Sequence, residues 1–595
     1  MPSVNGQFQG QSLVYPGAYA ADNVNATLPV NPAATPPLLF IGVGYGGVPQ
    51  TIIKHFTSQG LASTLRNGPA SLFLPFLFTP SPVMAGAQQV TYINPAPNTQ
   101  SSLSLMNSSG VAVVDLLSAQ YGTPSNLLQG EVTAGTVGGI QLTIYDSYAA
   151  KQGYPGQQTA VGDNLGLPFQ LAYTGDATTV TYTVASSGGV ATTFSVSSPN
   201  AGESVSFPLG GETYATISDL VEALNGTGYY SAQVVSNGAL PSDQLDAAAS
   251  VALPAPTSSG DVFVNVTATL TDIVFFVNTY ASVLATASIP SGITSAPDEQ
   301  PVDMALTNFS GATNGVPTTQ DYANAFNLAL TTGAWVVITD SNDLAVMALG
   351  QQHVATASSI TNRAYRRFFT GSSVGETVTQ ALQSAVDMDA INVSYAYPGI
   401  NIINTTTGVV TTYGGRYVAA AAAAMAAGNR VAIPLTDKAL NGTGVEVQLT
   451  ESEVNQLVNG GVMAIHRSNT TGVPTIIRDI TTWQIDNNPE NVYNQQVACR
   501  YYLAYSLNQT LQPYAGTIAS PFGMARAQNA AKKLLNALLY TEGSNGVLVS
   551  WDPKTLLLNY NGETSTLAIT VSVVFVGQVD FITTYTTILP LSMAA

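Results

Sequence analysis

Residues 450–480 read TESEVNQLVNGGVMAIHRSNTTGVPTIIRDI, and this stretch indicates the fold class most clearly. Thr450 and Glu453 have the spacing of a capping box, which predicts the start of a helix. Two apolar, β-branched runs follow, residues 462–466 and 475–480, and each predicts a strand. A helix that alternates with buried strands is typical of an α/β core.

The same alternation extends through most of the C-terminal half, from about residue 301. Gly428 is placed to end an alanine-rich helix, and small side chains there favour close packing. Further predicted helices are residues 319–330, 376–386, 416–427, 492–511 and 524–540. Further predicted strands are residues 335–338 and 390–397, with residues 38–43 and a helix at 51–65 near the N-terminus.

Residues 131–300 have a different pattern and predict an inserted β-rich unit, or two of them. Short segments alternate apolar and polar residues between Gly, Ser and Pro, as half-buried strands do. These segments are residues 180–184, 193–196, 204–207 and 262–267. A short helix at residues 217–224, capped by Thr216, lies among them.

The length of 595 residues exceeds what one hydrophobic core supports, so we expect a multidomain chain of the α+β or α/β class. The predicted parts are an extended arm (1–37), an N-terminal core part (38–130), the β-rich outer insert (131–300), an α/β core (301–515) and a C-terminal inner region (516–595).

Charged residues make up only 8% of the chain, against about a quarter in ordinary soluble domains. The polar surface must therefore come from Ser, Thr, Asn, Gln and Gly. Such a surface loses its water at low cost, which suits a protein that becomes buried among copies of itself.

The net charge of −18 is unevenly distributed. Residues 1–362 contain 20 acidic and 3 basic side chains, whereas residues 363–595 contain 14 acidic and 13 basic ones. Neither part has the basic patch that a nucleic-acid binder or a polybasic membrane anchor needs. We therefore expect neither a nucleic acid nor a membrane as a partner.

Cys499 is the only cysteine, so the chain has no intrachain disulfide and no CxxC metal motif. This fits assembly in a reducing cytoplasm. The N-terminal sequence has neither a charged region nor an apolar core of a secretory signal. The longest run of small apolar residues, 417–427, is shorter than the ~20 residues that cross a bilayer.

The sequence GVGYGG at residues 42–47 fits the GxGxxG pattern of dinucleotide-binding turns. That fold needs a helix immediately afterwards and an acidic residue about 20 positions later. Here Pro49 follows, and the next acidic residue is Asp115. We interpret the motif as a glycine-rich turn and expect no cofactor.

The sequence GSSVG around Ser373 fits the GxSxG nucleophile motif of hydrolases, with Asp437 and His466 later in the chain. Ser373 and Glu376 also have capping-box spacing, which explains both without catalysis. The preceding segment, residues 363–369, is basic and therefore unlike a buried central hydrolase strand. His55, His353 and His466 have no metal-ligand spacing, so we expect no catalytic or metal site.

The two ends of the chain have the pattern of strands that lack a partner. Residues 566–589 form a long apolar, β-branched stretch, which would aggregate if its edge stayed exposed. Adding these strands to the sheet of a neighbouring copy would solve this problem. The residues predicted for such arms are Ser12, Leu13, Val14, Tyr15, Ile569, Val571, Val573 and Phe575.

Several segments together resemble the sheath proteins of contractile tails, such as the tail sheath subunit of tailed bacteriophages. They are PGAY (16–19), LLFIGVGYGG (38–47), NFSGATNG (308–315), NGGVMAI (459–465) and IRDITTW (477–483). The third departs from the family pattern, because Ala312 and Asn314 stand where Gly and Asp are expected. The resemblance covers the arm, about residues 36–130 and residues 301–595.

The resemblance implies a structural protein without enzymatic activity or cofactor. Sheath subunits form stacked hexameric rings around the tail tube, with inserts outside and the C-terminal region against the tube. Their terminal arms complete the sheets of neighbouring subunits. When the baseplate triggers them, they contract and drive the tube through the host envelope. The implied partners are further copies, the tube, the baseplate and the tail terminator, and the implied location is the virion, after assembly in the host cytoplasm.

The basic residues of the predicted helix 524–540 are the candidates for contact with the tube: Arg526, Lys532 and Lys533. The alternative is an ordinary solvated helix face. Other functions stay open at this point. They are the sheath of a bacterial contractile injection device or phage-tail-like bacteriocin, a β-rich extracellular adhesin or surface-layer protein, and a hydrolase that uses Ser373.

Overall fold

The structure, a computed structural model, describes residues 6–8, 11–13, 37–404, 407–468 and 472–580. The strands of these residues, numbered in chain order, are β1 Gly6–Phe8, β2 Gln11–Leu13, β3 Leu38–Ile41, β4 Ile53–His55, β5 Val90–Ile93, β6 Gln100–Met106, β7 Ala112–Tyr121, β8 Leu128–Ala134, β9 Ile140–Asp146, β10 Thr159–Leu165, β11 Phe169–Tyr173, β12 Val180–Ser187, β13 Val190–Ser197, β14 Val205–Pro208, β15 Tyr230–Val234, β16 Ala248–Leu253, β17 Val264–Val266, β18 Ala285–Ser288, β19 Met304–Asn308, β20 Val336–Thr339, β21 Arg367–Gly371, β22 Val393–Tyr397, β23 Ile400–Ile403, β24 Val410–Tyr413, β25 Gly444–Val445, β26 Val462–Arg467, β27 Pro474–Ile476, β28 Leu548–Asn561 and β29 Thr566–Phe575.

The α-helices of the same residues are α1 Ser58–Leu65, α2 Leu74–Phe78, α3 Ser147–Gln152, α4 Ile217–Gly226, α5 Thr271–Tyr280, α6 Thr319–Ala329, α7 Leu344–Ala357, α8 Val378–Met388, α9 Gly415–Gly428, α10 Glu451–Asn459, α11 Pro489–Val492, α12 Asn494–Leu511 and α13 Pro521–Ala537. Short 3-10 helices are Pro69–Phe73, Thr123–Leu127, Ser242–Gln244, Pro297–Glu299 and Gln512–Tyr514.

An eight-stranded mixed sheet forms the centre of the protein, with the strand order β27-β26-β22-β21-β20-β3-β5-β4. The six inner strands are parallel, and the outermost strands β4 and β27 are antiparallel to their neighbours. Parallel strands are covered on both faces, which explains why β3, β20 and β22 are mostly apolar and fully buried. Leu38 of β3 lies opposite Val336 of β20, so distant parts of the chain share one sheet.

Helices cover both faces of this central sheet. Leu38 and Phe40 face a core with α1, α2 and α9, whereas Leu39 and Ile41 face a core with α6, α7, α8 and α10. Alanines 419–424 of α9 are buried, and their small side chains allow the helix to lie close to the sheet. Together with several smaller antiparallel sheets, this confirms the predicted mixed α/β, multidomain architecture.

The insert has its own core between two antiparallel sheets, β18-β7-β6 and β10-β9-β8-β19, and helix α5. β8 pairs with β9 on one side and with β19 on the other. The boundaries that we placed at residues 130 and 300 therefore fall inside one structural unit, because strand pairing crosses both of them.

A second unit is nested inside the insert. It contains the sheets β15-β11-β17 and β14-β13-β12-β16 with helix α4, around a core of its own. The chain leaves this unit beside the point where it enters, since the Ala268 N–H donates a hydrogen bond to the Gly166 carbonyl at 3.1 Å. The two chain connections between residues 167–268 and the insert thus lie side by side.

Two buried carboxylates, one in the surrounding insert and one in the nested unit, hold the two parts together. Asp272, on α5 of the surrounding insert, accepts hydrogen bonds from Ser236 and Asn237 of the nested unit, both at 2.6 Å. In return, Asp246 of the nested unit accepts bonds from the N–H and hydroxyl of Thr269, at 2.9 and 2.6 Å. Burial raises the pKa of Asp272. Neutral donors thus stabilise these two carboxylates.

Three elements differ from their sequence-based predictions. The helix expected at residues 51–65 is divided into the edge strand β4 and helix α1, because the Thr57 hydroxyl caps α1 only at that point. Helix α8 begins at Val378 and is capped by Thr377 with Gln380. The strand expected at residues 475–480 ends at Ile476.

Our interpretation of the basic segment before GSSVG was wrong. β21 begins at Arg367, lies between β20 and β22, and is buried along its whole length. Arg366 immediately before it is also fully buried. Its guanidinium donates to the Ala329 carbonyl at 2.9 Å at the end of α6 and contacts His353 Nε2 at 2.7 Å. Carbonyl groups at a helix C-terminus stabilise a cation, which offsets the cost of its burial.

Because of the buried environment of His353, we expect the stability of the core to fall at acidic pH. Burial, and then the neighbouring Arg366 charge, lower the pKa of His353 to about 3. The unfolded chain protonates this histidine near its ordinary pKa of ~6.5, so unfolding takes up a proton between these values. The free energy of unfolding should therefore fall by about 2 kcal/mol from pH 7 to pH 5.

His353→Gln keeps an oxygen acceptor for Arg366 but does not titrate, so this loss of stability should disappear in the variant. The measurement is urea unfolding at both pH values, followed by amide hydrogen exchange in α7. His466→Gln, in β26 of the same sheet, is the control. Equal pH dependence of the wild type and His353→Gln would contradict the assignment.

Candidate assembly surfaces

The C-terminal region packs as a hairpin over two helices. Strands β28 and β29 form an antiparallel pair, and their inner face covers α12 and α13. Leu534, Leu535 and Leu538 from the α13 region meet Val573 and Phe575 of β29 in one buried cluster. The hairpin is therefore anchored to its own chain through side chains.

The predicted C-terminal arm residues make contacts within their own chain, and their role between subunits stays a prediction. Ile569, Val571, Val573 and Phe575 alternate along β29 as predicted, but they pack against their own helices. β29 also pairs with β28 of the same chain along its length. The side chains on its inner face are thus used within the subunit, whereas its second main-chain edge and outward side chains such as Val574 are left for a neighbour. The rest of the predicted arm, residues 581–589, lies outside the described residues.

The hairpin still has the properties of an acceptor for further strands. Within residues 37–404, 407–468 and 472–580, no strand pairs with the second edge of β29. Among the same residues, the second edge of β28 forms a single isolated bridge, between Leu548 and Leu539. Val549, Leu557 and Val574 are exposed apolar residues of the same hairpin. A two-stranded sheet is marginally stable alone, so added strands would stabilise it.

The N-terminal arm is described only in part. Ser12 and Leu13 lie in β2, where they pair with Gln7 and Gly6 of β1. Val14 and Tyr15 lie outside the described residues. The role of these four residues between subunits stays a prediction.

The three candidate tube-contact residues lie on α13. Arg526 and Lys533 are exposed and Lys532 is half-buried, while the opposite side of the helix is buried in the cluster with the hairpin. The Arg526 guanidinium lies 5.9 Å from the centre of the exposed Phe522 ring. In the part of the chain that the structure describes, no salt bridge involves these three cations.

Side chains of the protein itself occupy the hydrogen-bonding positions of the glycine-rich turn after β3. Asn94 Nδ2 donates to the Gly44 and Gly46 carbonyls, both at 3.1 Å, and Asn98 Nδ2 donates to Gly44 at 2.8 Å. The Val43 N–H, which a phosphate would need, donates to the buried Asp340 carboxylate at 2.7 Å. The glycines therefore permit close packing of the turn against its own neighbours.

The residues of the hydrolase hypothesis do not come together. The Ser373 hydroxyl accepts a hydrogen bond from Asn342, whose side-chain oxygen accepts one from Arg416 at 3.0 Å. Among the described residues, no hydrogen bond joins Ser373 to Asp437 or His466. The same residues contain no group of three or more His, Cys, Asp or Glu side chains that could hold a metal ion. None of their helices is long and apolar enough to cross a membrane.

One buried salt bridge between core and insert was not predicted from the sequence. Arg66, at the end of α1 in the core, forms a salt bridge of 2.5 Å with Asp146 at the end of β9 in the insert. The two side chains are 6% and 4% exposed. Asp146 also caps α3 through the Ala149 N–H at 2.9 Å. This ion pair fixes the insert on the core, and only the scarcity of cations before residue 363 could have drawn attention to Arg66.

A second polar joint connects the C-terminal helices with the central sheet. Arg367, the first residue of β21, donates to the side-chain oxygen of Asn494 at 2.9 Å. Asn494, the first residue of α12, donates to Asp479 at 3.0 Å. All three side chains are buried. The start of α12 is therefore held directly against the middle of the sheet.

Sequence comparison finds tail sheath proteins among characterised relatives. The tail sheath protein of Bacillus phage SP01 is 24% identical over 522 residues, which cover 85% of this chain and 84% of the relative. A putative tail sheath protein of Enterococcus phage phiEF24C is 24% identical over 467 residues, covering 76% of both chains. No protein-family model matches the chain.

Structure comparison agrees on the fold. A sheath tail protein from Listeria innocua superposes with a TM-score of 0.56 over 92% of this chain and 94% of its own, at 10% identity. The two proteins therefore share their overall fold.

The buried salt bridge between core and insert leads to a stability prediction. Arg66→Met preserves much of the side-chain volume but leaves the Asp146 carboxylate buried without its counter-ion. We expect the free energy of unfolding, measured with urea, to fall by about 3 kcal/mol. Combining Arg66→Met with Asp146→Asn should restore part of this loss, because no unpaired charge is left.

Arg526→Met removes an exposed arginine and serves as the control, with an expected change below about 0.5 kcal/mol. If Arg66→Met and the control had equal effects, the salt bridge would not hold the two parts together.

Proposed function

Because the chain belongs to the phage tail sheath protein family, we propose that it is the structural subunit of a contractile phage tail sheath. The observation that carries this proposal is the similarity to tail sheath proteins along most of the sequence, joined with a sheath-type fold. The protein is a structural protein and not an enzyme.

In this role, copies of the chain form stacked hexameric rings around the tail tube. Contraction of the assembly drives the tube through the host envelope. The baseplate and the tail terminator are the further partners, and the protein is a virion component assembled in the host cytoplasm. The scarcity of surface charge supports this role, since weakly charged surfaces are desolvated at low cost when rings stack.

The hairpin β28–β29 is the part of the subunit best suited to join neighbours. Its open main-chain edges provide unpaired N–H and C=O groups, which an extended strand from another copy satisfies. The donated strands are the N-terminal segment with Ser12, Leu13, Val14 and Tyr15 and the C-terminal segment after β29. A head-to-tail contact of this kind need not end in a closed dimer, so it can build a helical polymer.

The cations of α13 are our candidates for contact with the tube. Arg526, Lys532 and Lys533 lie on one helix whose other face is buried, so they are held in a fixed position. No intramolecular salt bridge of the described residues uses them, which leaves them available to acidic groups of a partner. Phe522 beside Arg526 adds an apolar contact.

Electron microscopy of the purified full-length chain tests the proposed function. We expect hollow cylinders with six-fold cross-sections that form without nucleotide, because assembly uses only strand addition and surface burial. Size-exclusion chromatography with light scattering gives the matching mass distribution. A stable monomer at high concentration, or polymerisation that strictly requires ATP, would refute the proposal.

Reversing the charge of Lys532 and Lys533 to Glu should weaken attachment to the tube at least about fivefold and leave sheath cylinders intact, since charge reversal turns attraction into repulsion. Co-sedimentation of the sheath with purified tubes measures this. Lys151→Glu, at an exposed position of α3 in the insert, is the control. Unchanged attachment of the double variant would exclude this face of α13 as the tube contact.

A further inference from the structure

The segment after the C-terminal hairpin is fastened to the body of its own subunit. β29 ends at Phe575, and the chain then crosses to the beginning of α12. There the Val576 carbonyl accepts hydrogen bonds from the side chains of Gln495, at 2.9 Å, and Gln496, at 3.2 Å. These contacts lie outside the hairpin and would persist if the hairpin opened.

Asp580 makes the strongest contacts of this segment. One oxygen of its carboxylate accepts a hydrogen bond from the Tyr493 hydroxyl at 2.6 Å and forms a salt bridge with Arg478 at 3.2 Å. The other oxygen accepts a bond from Gln578 at 2.9 Å. The Asp580 side chain is only 10% exposed. Charge-assisted bonds in such a shielded position are stronger than those of an exposed pair.

The groups that hold Asp580 are themselves part of the joint with the central sheet. Tyr493 directly precedes Asn494, and Arg478 directly precedes Asp479. Asn494 and Asp479 are hydrogen-bonded to each other and, through Asn494, to Arg367 at the start of β21. A path of polar contacts and directly bonded neighbouring residues therefore leads from Asp580 to the middle of the eight-stranded sheet.

We propose that Asp580, Arg478 and Tyr493 form a tension anchor for the C-terminal segment. The anchor fixes the point from which residues 581–595 continue, so a force on that segment passes into the central sheet. The inference rests on the proposed function, in which this segment is held by a neighbouring subunit and pulled during contraction.

Without the anchor, the same force would act on the end of β29. A hairpin pulled at one strand end loses its cross-strand hydrogen bonds one after another, and each of them contributes little. The hairpin would open at low force, and the sheet shared with neighbours would be lost with it. The anchor diverts the force from the hairpin and so preserves this sheet.

Single-molecule pulling of the full-length chain tests the anchor. The force is applied between the C-terminus and a handle at Gln320→Cys, an exposed position on α6, while the native Cys499 is buried. In the wild type, we expect no extension before the core itself unfolds. In Asp580→Asn combined with Tyr493→Phe, an earlier step of about 110 Å should appear at lower force, the extended length of residues 548–580.

Glu563→Gln, which makes the same carboxylate-to-amide change in the turn of the hairpin, is the matched control and should behave like the wild type. An early step of this length in the wild type, or its absence from the double variant, would overturn the proposal. Circular dichroism and urea unfolding of each variant separate loss of the anchor from a general loss of folding.

Electron microscopy of the same variants distinguishes the anchor from the proposed function. If the wild type forms cylinders, the double variant should also form them but break into short pieces on contraction, whereas intact contracted cylinders would contradict the role in contraction. If the wild type forms no cylinders, the proposed function fails, and the pulling experiment still decides whether the anchor exists.

Discussion

The pairing of β3 with β20 is the constraint on which the rest of the structure depends. Leu38 and Val336 are neighbours in the sheet, although the whole insert lies between them in the chain. The central sheet cannot close until this long-range contact forms, and parallel strands need both faces covered before they are stable. The insert is therefore a long loop on a closed core, and the Arg66–Asp146 pair reduces its freedom to move on that core.

The two salt bridges found among the described residues both join separate parts of the chain. Arg66–Asp146 connects the core with the insert, and Arg478–Asp580 connects the core with the C-terminal segment. Other buried charges, such as Arg366 and Asp272, are stabilised mainly by neutral hydrogen-bond partners. In this chain with few ionised groups, both ion pairs thus lie where two structural parts must keep a fixed position relative to each other.

Local sequence rules predicted much of the fold, because capping and hydrophobic periodicity act over a few residues. The box of Thr450 and Glu453 is formed as expected, and Thr216 caps α4. Contacts between distant residues were beyond such rules. The burial of Arg366 depends on carbonyl groups at the end of α6, and the inward orientation of Val573 depends on α13. The family resemblance indicated the assembly, but no local pattern pointed to Asp580.

The side-by-side chain connections of the nested unit have an evolutionary and practical consequence. Because Gly166 and Ala268 are hydrogen-bonded neighbours, we expect another domain with adjacent termini to fit between them if it also supplies hydrogen-bond donors to the buried Asp272. For the core, replacing the nested unit would amount to replacing one loop by another. Such an arrangement would let this unit diversify independently of the central sheet, and the position is a natural grafting point for displaying foreign proteins along a regular filament.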